Sequence, residues 1–201
     1  AYGLPNGGRF RGSIFRQRGS IGVVMRVIPP QIATFSELNL PEVLGEICQA
    51  PNGLILVTGP TGNGKSTTLA SMLQQINRYE QFNIITIEDP VEFLFTSDKS
   101  CIIQREVGID TGSFSAALNA ALRMDPDVIM VGEMRDKETM AIALSAAETG
   151  HLVFSTLHTV GAVKTIDRIL DSFPADQQNQ VRSQLATVLE GIVCQQLLPK
   201  K

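Results

Sequence analysis

Residues 59–67 read Gly-Pro-Thr-Gly-Asn-Gly-Lys-Ser-Thr, and they follow the apolar run Leu54-Ile-Leu-Val57. This is the pattern G-x-x-x-x-G-K-[ST] between a buried strand and a helix that begins near Lys65. Successive backbone N–H groups of such a loop, together with the helix N-terminus, form a cradle for a polyphosphate. The pattern therefore predicts a phosphate-binding loop, made of Gly59, Pro60, Thr61, Gly62, Asn63, Gly64, Lys65, Ser66 and Thr67.

The side chains of this loop predict ATP and Mg²⁺ as its ligands. Lys65 is long enough to reach the β and γ phosphates, and the Ser66 hydroxyl is a ligand for Mg²⁺. A GTPase is disfavoured because the chain contains no Asn-Lys-x-Asp sequence to recognise the base. The remaining question is what the hydrolysis of the nucleotide would drive.

The order of predicted elements indicates an α/β fold. From Leu40 onward strands alternate with helices, and the last two helices are expected near 161–172 and 176–196. Such alternation predicts a mostly parallel sheet covered on both faces, with ligands at the carboxyl ends of its strands. Residues 1–30 are expected to be a hairpin at the edge of an N-terminal domain, followed by a linker over 31–39 and an ATPase core over 40–201. The chain is expected to be a piece of a longer protein, truncated at the C-terminal end of the core.

The composition narrows the class of protein. The 201 residues carry a net charge of −3 and contain no Trp, which disfavours a nucleic-acid partner that needs basic or stacking surfaces. No apolar run approaches the roughly 18 residues that a membrane-spanning helix requires, so direct membrane insertion is not expected. The three cysteines are widely spaced and fit a reducing cytoplasm rather than a disulfide framework.

Acidic residues follow two predicted strands where catalytic groups are expected. Glu88, Asp89 and Glu92 come at the end of the strand 83–88, and Glu133 follows the strand 128–131. Glu92 is the preferred water-activating base, with Glu88 as the alternative, whereas Asp89 also fits a solvated turn. Glu133 and Ser66 are predicted to hold Mg²⁺. Two protein ligands are enough because Mg²⁺ keeps several waters.

The histidines and arginines supply the predicted contacts with the γ-phosphate. His151 and His158 would lie at opposite ends of one strand, roughly 20 Å apart at about 3.3 Å per residue. His158 is on the nucleotide side and is the predicted sensor, whereas His151 is expected to be structural or directed at a neighbouring subunit. Arg11 and Arg26 belong to an arginine-rich hairpin, which is expected to close over a phosphate.

Four stretches in this order resemble the secretion ATPases of type II secretion and type IV pili. Residues 59–67 match their Walker A motif, 87–93 resemble their aspartate box, 125–136 resemble their Walker B motif, and 149–159 match their histidine box. The chain is most similar to the branch that retracts pili in twitching motility, although Asn119 replaces an arginine that is frequent in the family.

The resemblance implies a RecA-like P-loop core with a remnant of a PAS-like N-terminal domain, and assembly as a homo-oligomer, expected to be a hexamer. It also implies that Arg11 and Arg26 reach the γ-phosphate, that Glu92 activates water and that Glu133 serves magnesium. The expected partner is a pilus platform protein at the cytoplasmic side of the inner membrane. Alternatives are a pilus-extension or type II secretion ATPase, a nucleic-acid translocase, and a binding module without enzymatic activity.

Overall fold

An antiparallel hairpin precedes the main sheet in the computed structural model, which describes residues 2–3, 9–28 and 31–199. Strand β2 (Arg9–Gln17) pairs with β3 (Ser20–Ile28), as predicted, and an unpredicted short strand, β1 (Tyr2–Gly3), pairs with β2. Two residues are too few to show the alternation that marks a strand. Pro29 and Pro30, at the predicted boundary between the hairpin and the linker, lie outside the described residues.

The main sheet is parallel throughout and confirms the predicted fold class. Its strand order is β6-β5-β7-β8-β4-β9. The strands are β4 (Gly53–Thr58), β5 (Asn83–Glu88), β6 (Cys101–Glu106), β7 (Val128–Val131), β8 (Leu152–Leu157) and β9 (Leu189–Cys194). All neighbouring pairs run parallel, so the loops that follow these strands lie along one edge of the sheet.

Helices cover both faces of this sheet. They are α1 (Val43–Ile47), α2 (Lys65–Tyr79), α3 (Phe114–Ala121), α4 (Lys137–Glu148), α5 (Ala162–Leu170) and α6 (Ala175–Val188). Successive residues of β4 face opposite layers, as strand geometry requires. Leu54 and Leu56 pack with α3 to α6, whereas Ile55 and Val57 pack against α2 and the end of α1. The strands are therefore apolar on both sides, which is typical of parallel sheets.

Side-chain caps define the starts of two helices. The side chain of Ser113 accepts a hydrogen bond from the Ala116 backbone at the start of α3, and Asp136 accepts one from Thr139 at the start of α4. These contacts satisfy backbone donors that have no partner within the helix. They hold the chain where it enters α3 and α4.

The predicted helix over 176–196 is wrong in its C-terminal part. Helix α6 ends at Val188, and residues 189–194 instead form β9, which pairs with β4. A helix here would leave one edge of the fully buried β4 without hydrogen-bond partners, which costs free energy. The β-branched pair Ile192-Val193 suits a strand, but the apolar run alone is compatible with either structure.

Candidate active site

The phosphate-binding loop joins β4 to α2, as the sequence predicts. Gly64 is the N-cap of α2 and has a φ of 83°, in the left-handed region that glycine tolerates best. Gly59 has a φ of +144°, and a side chain there would overlap the backbone carbonyl of Gln195. Glycine is therefore required at position 59 for a reason of packing as well as of backbone conformation.

Lys65 lies at the centre of the site with its charge directed at the loop. Its Nζ donates to the carbonyl oxygens of Gly59 and Pro60 at 2.9 and 3.0 Å, and it lies 3.3 Å from Nδ1 of His158. Burial lowers the pKa of Lys65, and attraction by Glu133 and Glu92 opposes that shift. The ammonium group is thus close to the space above the loop, where phosphate oxygens would compete for it.

His158 connects Lys65 with Glu133. Since a lysine ammonium only donates hydrogen bonds, the contact with Lys65 requires that Nδ1 of His158 accepts. The proton of the neutral ring is then on Nε2, which lies 3.5 Å from Oε2 of Glu133. The other carboxylate oxygen of Glu133 forms an ion pair with Arg135, whose pKa is raised by this contact. The sequence analysis assigned no role to Arg135.

The three acids after β5 lie in different environments. Glu88 is buried; its Oε1 accepts from the Thr86 hydroxyl at 2.7 Å, and its Oε2 accepts from the backbone N–H of Glu92 at 3.3 Å. Burial raises the pKa of Glu88, these hydrogen bonds oppose the shift, and the nearby Glu92 carboxylate adds to it. Asp89 is exposed, whereas Glu92 is half-buried. Both line a cavity that residues of the phosphate-binding loop also line.

Two side-chain oxygen ligands are available for a magnesium ion. The Ser66 hydroxyl, in the first turn of α2, and the Glu133 carboxylate line the same cavity. Hard oxygen ligands in small number fit Mg²⁺, which retains most of its waters. In the part of the chain that the structure describes, no group of three or more His, Cys, Asp or Glu side chains could hold a metal by itself.

Two hairpin arginines face the same space. Arg11 and Arg26 lie directly opposite each other on β2 and β3, and both line the cavity. Like charges in a cross-strand pair repel each other, and no described carboxylate forms an ion pair with either guanidinium. Arg16 and Arg18 of the same hairpin do not line the cavity. The pair at 11 and 26 therefore offers two cations to an anion bound above the loop.

The cavity gathers most of the predicted site residues, but Gly59, Pro60 and Asn63 of the phosphate-binding loop do not line it. It has a volume of about 620 Å³ and is lined by residues of the phosphate-binding loop, the two acidic strand ends, His158 and the two arginines. This volume lies in the range of small-ligand sites. His151 lies outside it, before β8, where its Nδ1 is 2.9 Å from the carbonyl oxygen of Ala146. Asn119 is exposed on α3 and does not line the cavity.

The segment after β9 is a part of the site that sequence analysis missed. The Gln195 backbone N–H donates to the Thr58 carbonyl, and its side chain accepts from the Thr68 hydroxyl at 2.7 Å. The Leu197 backbone N–H donates to Oδ1 of Asn63 at 2.8 Å. No local pattern marks these contacts, because they depend on β9 being a strand beside β4.

Comparison with known proteins identifies the family. Residues 10–201 match the model of the family described as "Type II/IV secretion system protein". The chain belongs to this family. It is 52% identical over 200 residues to the Pseudomonas aeruginosa protein described as "Type IV pilus retractation ATPase PilT", covering 100% of this chain and 58% of that one. It is also 52% identical over 198 residues to a Neisseria gonorrhoeae "Twitching motility protein", covering 98% of this chain and 53% of that one.

A solved structure of a family member has the same fold. The crystal structure of the pilus retraction motor PilT with bound ADP superposes with a TM-score of 0.97 and is 58% identical. The match covers 99% of this chain and 58% of that one. The chain therefore spans somewhat more than half the length of these type II/IV secretion system proteins. The resemblance seen in the sequence and the α/β core are both confirmed.

Proposed function

We propose that the chain binds Mg-ATP and hydrolyses it, and that this hydrolysis powers the retraction of a type IV pilus. The observation that carries the proposal is the convergence of Lys65, Glu92, Glu133, His158 and the arginine pair on one cavity. The similarity to pilus-retraction proteins supports the choice of this process among those of the family.

Binding would use the loop backbone and the start of α2. The N–H groups of residues 59–67 and the helix N-terminus attract phosphate oxygens, and Lys65 would exchange its two loop carbonyls for them. Ser66 and Glu133 would hold Mg²⁺, Glu133 directly or through a bound water. When bound, the metal neutralises charge on the β and γ phosphates.

Hydrolysis would use Glu92 as the general base. No hydrogen bond or ion pair among the described residues occupies the Glu92 carboxylate, whereas both Glu88 oxygens accept hydrogen bonds. A carboxylate with available oxygens beside the cavity is the better acceptor for a proton from water. His158 would change its contacts with Lys65 and Glu133 when a γ-phosphate arrives, as expected of a sensor.

We propose that the chain works as a motor made of several copies. Residues 1–30 would be the edge of a PAS-like N-terminal domain, and 31–39 the linker to the core. Hydrolysis would then move that domain against the core in a ring, which we propose to be hexameric. None of the described helices has the length and hydropathy needed to cross a bilayer. We propose a cytoplasmic location beside an inner-membrane platform protein, without a nucleic-acid partner.

A chimera tests the retraction role. Residues 1–201 would replace the matching segment of the Pseudomonas aeruginosa PilT in a strain without retraction ATPase. We expect twitching to return, and we expect the same chimera with Lys65→Ala to leave the cells non-motile. A chimera that hydrolyses ATP but restores pilus extension instead of retraction would assign the chain to the extension branch. A chimera without ATPase activity would contradict the enzymatic proposal.

The arginine pair gives a second prediction. Arg11→Ala and Arg26→Ala are each expected to lower the hydrolysis rate by about 10²-fold, the lower end of the range for a lost charge-stabilising group, because the two guanidinium groups share the site. ADP affinity should change little. Arg16→Ala is the matched control, since Arg16 lies on the opposite face of the same strand and does not line the cavity. If Arg11→Ala and Arg26→Ala hydrolyse ATP as fast as Arg16→Ala, the arginine pair has no role in hydrolysis.

A further inference from the structure

The loop after β5, residues 89–100, carries Glu92 but contains no helix or strand. We propose that Gln104 on β6 is a positioning residue, which holds this loop and thereby keeps Glu92 oriented for the activation of water. The inference rests on the proposed role of Glu92. It extends that role to a side chain that does not itself line the cavity.

The Gln104 amide uses its hydrogen-bonding groups on this loop and on the end of β5. Its Nε2 donates to the backbone carbonyl of Phe93 at 2.8 Å and to Oε1 of Glu88 at 3.1 Å. Its Oε1 accepts from the backbone N–H of Phe95 at 2.9 Å. A side-chain amide offers two N–H groups and one carbonyl oxygen, so donors and acceptor are both engaged. Gln104 is therefore matched to the loop in shape and polarity.

Glu88 extends this network to Glu92 itself. Gln104 lies opposite Thr86 in the parallel pairing of β5 and β6, so its amide and the Thr86 hydroxyl meet the same carboxylate oxygen. The other Glu88 oxygen accepts from the Glu92 backbone N–H. Gln104 thus contacts the residue after Glu92 directly and contacts Glu92 through Glu88. Removing the amide would release both connections at once.

A second side chain on the same face of β6 supports this arrangement. Glu106, two residues after Gln104, accepts from the Val91 backbone N–H at 3.1 Å. Backbone groups on both sides of Glu92 are therefore held by β6, an edge strand whose alternate side chains point to one face. Such support is a feature of sites in which the orientation of a reacting group controls the rate.

The variant Gln104→Met tests the proposal, because methionine has nearly the shape of glutamine but lacks the amide. We expect kcat for Mg-ATP hydrolysis by the 201-residue chain to fall by about 10- to 10²-fold, the order of loss caused by a misplacement near 1 Å. KM and ADP affinity should stay within about twofold, since the phosphate-binding loop is untouched. Gln104→Asn, whose amide is one methylene too short for all three contacts, should lose kcat similarly and serves if the methionine variant does not fold.

The matched control is Gln184→Met. Gln184 on α6 donates a hydrogen bond to the Glu148 carboxylate at 3.1 Å, and neither residue lines the cavity. Like Gln104→Met, this variant removes an amide-to-carboxylate hydrogen bond, but away from the site. Its kcat should equal that of the parent chain. The double variant Gln104→Met with Glu92→Gln should lose little more than Glu92→Gln alone, because a residue that acts through Glu92 has no effect once that carboxylate is gone.

Four results would overturn the proposal. They are a parental kcat in a folded Gln104 variant, an equal loss in Gln184→Met, a parallel loss of ADP affinity, and full additivity with Glu92→Gln. If Glu92→Gln is inactive while Gln104→Met is fully active, this inference alone fails. If Glu92→Gln keeps the parental rate, the proposed role of Glu92 fails and the inference fails with it.

Discussion

The variant Lys65→Ala is expected to abolish ATP hydrolysis, with a fall of about 10³-fold or more, the order associated with a cation at a transferring phosphoryl group. The Lys65 ammonium contacts the loop directly, and its two carbonyl contacts are interactions that phosphate oxygens can replace. Triphosphate affinity should fall as well, because the same charge acts in the ground state. Steady-state phosphate release and titration with a fluorescent ATP analogue would measure the two effects.

Lys99→Ala is the control for this variant. Lys99 is exposed just before β6, at the end of the strand away from the cavity, and its Nζ lies 6.0 Å from the Tyr79 ring. We expect this change to leave turnover and nucleotide affinity unaltered. Turnover near the parental rate in Lys65→Ala would contradict the assignment of residues 59–67 as the site of hydrolysis.

The variant Glu92→Gln is expected to bind Mg-ATP normally and to hydrolyse it about 10³-fold more slowly, within the range for loss of a general base. The substitution keeps the size of the side chain and removes only its ability to take a proton from water. Single-turnover hydrolysis and equilibrium binding would separate the chemical step from binding. The bound triphosphate should therefore accumulate unhydrolysed.

Two further carboxylate variants sharpen this test. Glu138→Gln, exposed in the first turn of α4, should have no effect. Glu88→Gln changes a buried carboxylate that accepts three hydrogen bonds. Its main effect should therefore be to loosen the loop after β5, and it should lower the hydrolysis rate less than Glu92→Gln does. If Glu88→Gln loses hydrolysis while Glu92→Gln keeps it, the role of the base belongs to Glu88.

Much of the nucleotide site could be predicted because its parts are local in sequence. The strand–loop–helix at 54–76 shows itself through an apolar run, glycines and a lysine in fixed order. Parallel strands place Glu88, Glu133 and His158 on one edge wherever the strands lie in the sheet. The sequence favours Glu92 as the base but keeps Glu88 as an alternative, since acids so close in sequence look alike until burial and hydrogen bonds distinguish them.

The error over β9 has a different origin. Residues 189–194 are apolar enough for a helix or a strand, and the preceding helix α6 gave no clear stop signal. What decides the outcome is the open edge of β4, more than 130 residues earlier in the chain. Backbone groups of β4 need partners, and a strand supplies them whereas a helix satisfies only its own.

The sequence by itself therefore determined the phosphate-binding loop, the parallel α/β core and the family, because each depends on patterns within a few tens of residues. Only the tertiary structure decided that Gln195 and Leu197 contact that loop and that Gln104 hydrogen-bonds the segment carrying Glu92. These contacts join residues on different elements. Their energy arises from satisfying specific donors and acceptors across the fold, and no local periodicity encodes those partners.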